Sequence, residues 1–150
     1  METLEAVDTA APPGRGPGVR TAVSGWVLRV AAALFLIGGY LQPVFAGVYL
    51  SGDFDGLAMH LMGADTLSVI SIAQVGAAVA VWIRVRRAWP FWASLALMLG
   101  GVAQYFAGMD GALWLHLPLG VTLIAGITVV TAALWMRPLP RRVKGARTDG

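Results

Sequence analysis

The chain has 150 residues, of which 57% are hydrophobic and only 13% charged, with a mean hydropathy of +0.71. Soluble domains carry about 25% charged residues, so the composition excludes an ordinary soluble domain and predicts an integral membrane protein. The net charge is +3, and the absence of cysteine excludes disulfides, thiolate metal sites and thioether-linked haem.

Residues 1–22 open with Glu2, Glu5 and Asp8 and continue into a Pro/Gly-rich run. The composition predicts a disordered cytoplasmic tail. It lacks the basic start and short apolar core of a signal peptide. Residues 23–137 form the predicted transmembrane domain, with apolar spans at 26–50, 57–83, 90–108 and 112–136. Each meets the roughly 20 residues that a bilayer crossing needs. Arg29, one turn inside the first span, is expected to extend its head group to the interface. Pro138 and Pro140 end the fourth span, and 138–150 read as a basic cytoplasmic tail.

The loops are short, so consecutive helices are expected to be antiparallel neighbours. The predicted fold is all-α, an up-down-up-down four-helix bundle. Every basic residue falls in the tails, at the start of helix 1 or in the 84–87 turn, whereas the other two loops hold only Asp53, Asp55 and Asp110. By the positive-inside rule both termini are cytoplasmic, in a bacterial plasma membrane. Trp26, Trp82, Trp89 and Trp135 mark that edge, and Trp114 and Tyr49 the other. The basic charge reports topology and contact with the lipid bilayer. It does not form a nucleic-acid-binding face. A homodimer or larger membrane complex is compatible with the small-residue faces.

One pattern occurs twice. Gly38-Gly39-Tyr40-Leu41-Gln42 is followed by Phe45-Ala46-Gly47, Asp55-Gly56 and His60. Sixty-two residues later, Gly100-Gly101-Val102-Ala103-Gln104 is followed by Phe106-Ala107-Gly108, Asp110-Gly111 and His116. The two copies hold both histidines of the chain and predict two similar helical hairpins.

Each element has a structural explanation beside a functional one. Asp55 and Asp110 are expected to be helix N-caps. The glycines permit close helix packing, and would equally make room for a flat macrocycle. Gln42 and Gln104 are polar groups inside apolar spans and should face the bundle interior. There they either bond between helices or line a cofactor or quinone site. Pro43 removes one helix hydrogen bond beside Gln42, and a kink there would open space.

His60 and His116 begin about one turn inside their helices. If helices 2 and 4 lie diagonally, the two imidazoles face each other at one depth, as a bis-histidine haem requires. Zinc would need at least three protein ligands, and only two imidazoles are present. The structural alternative is a pair of interfacial histidines bonded to neighbours or water. Asp65 is the one acid inside a span. It lies about 140° round the helix from His60 and so does not share its face.

The order Gln-x-x-Phe-Ala-Gly, loop, then His early in the next helix, stated twice, resembles one four-helix half of the haem A synthase family. It is similar also to small actinobacterial membrane proteins with the same paired-histidine layout. The resemblance covers about residues 26–136 and implies that His60 and His116 take the axial-ligand positions of haem b. The enzyme has eight helices, a basic residue after this histidine where Leu61 stands here, and loop cysteines with a catalytic acid where 51–56 offer only Asp53 and Asp55. The implied function is therefore haem binding for electron transfer or haem handling, without haem hydroxylation. Gln42 and Gln104 would line the pocket.

Two other functions stay open. One is a non-catalytic membrane subunit or scaffold packing through its glycine faces. The other is a small proton-coupled exporter with Asp65 as coupling acid, although helix 1 lacks the acid such exporters carry there. Enzyme status is left undecided, because no phosphate loop, nucleophile elbow or carboxylate cluster is present.

Overall fold

The computed structural model describes residues 22–139, so most of both tails lies outside the described residues. Four α-helices account for nearly all of this segment: α1 Val23–Leu50, α2 Asp55–Val85, α3 Trp89–Met109 and α4 Leu113–Met136. All four are long and apolar enough to cross a membrane, the architecture of a multi-pass membrane protein. α1 packs on α2, α2 on α3, α3 on α4 and α4 on α1, and among the described residues the helix backbones do not approach closely across either diagonal. The result is the expected up-down-up-down bundle, with α2 and α4 facing each other across its middle. Both hairpin turns lie at one end, and the start of α1, the end of α4 and the α2–α3 turn lie at the other.

The terminus-bearing end is the better packed. Leu28, Ala32, Ala77, Ala78, Val81, Leu134 and Leu139 form one buried cluster there, and Phe35, Leu97 and Ile127 form a second nearer mid-bundle. The Ala22 N–H donates to the Leu139 carbonyl at 3.1 Å and ties the start of α1 to the segment that follows α4. Arg29 departs from the expected outward reach: it is buried, and its Nε donates to the Leu134 carbonyl at 2.8 Å while a terminal nitrogen donates to that of Arg137 at 3.1 Å. Carbonyls at a helix C-terminus lack intrahelical partners and carry the negative end of the helix dipole. They offer the guanidinium a closer partner than the interface does. The Trp26 and Trp135 rings flank it at 5.4 and 5.6 Å.

The aspartate caps are also corrected. The N-cap positions are Phe54 and Ala112, neither with a capping side chain. Asp53, rather than Asp55, accepts the Asp55 N–H at 3.0 Å, and Asp110 ends α3. The two Asp-Gly pairs do different work. Gly56 is inside α2, where a β-carbon would run into the α1 backbone at Tyr49 and Phe45, whereas Gly111 is in the turn itself at φ +66°. A left-handed residue was needed to reverse the shorter hairpin, and a bare backbone to seat the longer one.

Candidate functional site

The two hairpins place their histidines in matching surroundings. His60 Nδ1 lies 3.1 Å from the Gln42 carbonyl oxygen on α1, and His116 Nδ1 lies 2.9 Å from the Gln104 carbonyl oxygen on α3. A carbonyl only accepts, so each Nδ1 carries a proton and donates it. In the neutral ring, Nε2 is then left with its lone pair. Metal-ligating histidines are held this way, one nitrogen anchored to a carbonyl and the other free to ligate.

Both imidazoles are half-buried, and their ring centroids stand 6.1 Å apart with planes inclined at 60°. Metal–nitrogen bonds to imidazole run ~2.0–2.1 Å, so two rings sharing one metal hold their centroids roughly 6 Å apart. The observed separation is close to that value. The same separation also lies in the range of ordinary ring packing. Among the described residues no group of three or more His, Cys, Asp or Glu side chains could hold a metal ion.

The glutamines are drawn into the same region. Their side-chain amides each hold one buried atom without a partner, Nε2 of Gln42 and Oε1 of Gln104. Each amide packs on a glycine of the next helix. A β-carbon at Gly63 would collide with Gln42, and one at Gly120 would stand 2.9 Å from Gln104 Nε2. Gly108 has the corresponding role for the imidazole, since a β-carbon there would stand 2.9 Å from the His116 ring. Gly38 and Gly100 are filled from within the bundle, by Leu67 and Leu123, each 2.7 Å from where a β-carbon would be.

Pairing Gln42 with Gly63 and Gln104 with Gly120 was not visible in the repeat, because Gly63 is three residues past His60 and Gly120 four past His116. The placing of Gly108 one turn after Gln104, on the face that receives His116, was a usable signal.

Asp65 does not join the histidines. It is exposed on the outer side of α2, where Oδ1 accepts the Tyr105 hydroxyl of α3 at 3.1 Å. Its partner escaped the sequence because only the packing of α2 on α3 brings the two together. Nor did the sequence mark Gln74, which is buried and donates through Nε2 to Ser94 Oγ at 3.1 Å.

Compared with protein-family models, curated proteins and solved structures, the chain matches none.

Proposed function

We propose that this membrane protein binds haem b between His60 and His116, for electron transfer or haem handling. The observation that carries the reading is the duplicated anchor: two imidazoles, on diagonal helices, each with Nδ1 on a carbonyl of the preceding helix. Packing needs no such pair, whereas axial ligation needs two Nε2 lone pairs presented across one axis. The orphaned amides of Gln42 and Gln104 add to it, since buried polar atoms ordinarily have partners. So does the uneven core. Among the described residues, both buried apolar clusters lie from mid-bundle toward the end that carries the α2–α3 turn, and the hairpin end holds none.

In this reading His60 and His116 hold the iron, the Gln42 and Gln104 carbonyls fix ring orientation, and the amides line the pocket. Haem with two protein axial ligands supplies one-electron chemistry rather than oxygen activation. The test is a visible absorption spectrum of the full chain, expressed with ample haem and extracted in detergent. A Soret band is expected, lost in His60→Ala and in His116→Ala. A colourless protein overturns the proposal.

A further inference from the structure

A second site lies on the outside of the bundle, between α2 and α3. It is a groove of about 310 Å³ lined by Asp65, Ser68, Val102, Tyr105 and Phe106. All but Tyr105 are exposed, and in a membrane-spanning bundle that exposure is to lipid. Asp65 stands ten residues inside α2, ~15 Å along the axis from its start, and Val102 seven residues inside the end of α3, ~10 Å. Tyr105 and Phe106 stand nearer that end and bound the groove toward the interface. The carboxylate is therefore reached from within the hydrocarbon region, and the occupant is a molecule dissolved there rather than a headgroup or a water-soluble metabolite.

The hydrogen-bonding capacity of the groove is one-sided. The Tyr105 hydroxyl donates to Asp65 Oδ1 at 3.1 Å, and the Ser68 hydroxyl donates to the Ala64 carbonyl at 3.0 Å. Both hydroxyl hydrogens are thus used within the protein. What remains is the second carboxylate oxygen and the free lone pairs of Tyr105 and Ser68, all acceptors. A carboxylate inside a span is costly and marks a functional position by default. The described basic residues Arg29, Arg84, Arg86, Arg87 and Arg137 all stand toward the other end of the bundle. What the groove takes is a lipid-soluble hydroxyl donor. Tyr105 and Phe106, with centroids 6.2 Å apart and planes at 79°, are two aromatic walls against which a third ring packs.

The groove also adjoins the histidine site. Tyr105 follows Gln104, whose carbonyl accepts the His116 Nδ1 proton at 2.9 Å. The peptide group that anchors the imidazole inside the bundle carries Tyr105 on the outside. A quinone has only carbonyl acceptors and finds no donor here, whereas its reduced form has two hydroxyl donors, an aromatic ring and electrons to give.

We infer that this groove binds a membrane-dissolved quinol, one hydroxyl donated to Asp65 and the ring against Tyr105 and Phe106. Tyr105 holds the carboxylate in place, and Asp65 takes the proton as the quinol is oxidised. The electron step rests on the haem reading: one quinol reduces two ferric haems, its two O–H bonds break, two protons leave through Asp65, and the ring becomes the quinone. Binding itself does not depend on haem.

The experiment titrates the full chain, prepared without haem in detergent, with decylubiquinol under argon and with decylubiquinone, by calorimetry. The quinol should bind about tenfold tighter, a difference of about 1.4 kcal/mol. Asp65→Asn brings an N–H donor that a quinone carbonyl accepts, so the preference should vanish. Tyr105→Phe should weaken it, with helical content by circular dichroism unchanged in both variants. Equal binding of the two forms by the native chain overturns the inference, as does a full preference in Asp65→Asn. Binding of decanol as tight as that of the quinol overturns the ring as the recognised group. In the haem-loaded chain, quinol should shift the Soret band to its reduced position, more slowly in Asp65→Asn. A chain that takes up no haem yet keeps the preference overturns the haem reading and supports the quinol site.

Discussion

The proton on each Nδ1 is the detail from which the histidine site follows. Donation to the Gln42 and Gln104 carbonyls leaves the second nitrogen of each ring able to ligate. The glutamine side chains have a different part, and it can be separated from that of their backbones. A buried amide atom without a partner costs about 1–3 kcal/mol. Gln42→Leu and Gln104→Leu should therefore raise the thermal midpoint of the haem-free protein while lowering its haem affinity, both measurable by titration and melting in detergent. A variant that binds haem as tightly as the native chain would show that the amides do not line the pocket. At this scale the sequence was partly legible. The histidines and glutamines stood out as polar residues in apolar spans, but their carbonyl partners did not, since every residue has a carbonyl and only packing selects one.

Among the elements, α4 depends most on a single foreign side chain. Arg29 of α1 is buried and donates to carbonyls of Leu134 and Arg137 at the α4 C-terminus. Hydrogen bonds to a charged group contribute about 1.5–3 kcal/mol. Arg29→Leu should lower the unfolding midpoint in detergent accordingly and expose the end of α4 to proteolysis. An unchanged midpoint would mean that lipid headgroups satisfy those carbonyls equally well. The number and extents of the helices were legible to within a few residues, because each apolar run is long and bounded by Gly, Pro or charge. Arg29 and the aspartates were misread for one reason. A one-dimensional rule assigns a polar residue to the nearest interface or helix start, whereas here the best partner of Arg29 lies on another helix, and the first amide of α2 donates to Asp53 while Asp55 itself stands in the first turn.

At the scale of the whole molecule the two hairpins are repeats of one orientation, with α1 corresponding to α3 and α2 to α4. Neither hairpin contains both imidazoles, so the proposed haem site requires both hairpins. Chains divided between Arg87 and Ala88 should each remain colourless alone and recover the Soret band when co-expressed, as preformed membrane helices can associate laterally. Colour from either half alone would contradict the shared site. The pairing of the hairpins also bears on how such a molecule can arise. A unit with two crossings returns to the side on which it began, so its tandem copy enters the membrane the same way up and meets the first without inversion. The imidazole anchors make the copies tolerant of divergence, because no replacement at 42 or 104 deletes a main-chain oxygen. The resemblance between the halves is kept at a handful of positions, among them Gly38 and Gly100, Gln42 and Gln104, and the two histidines.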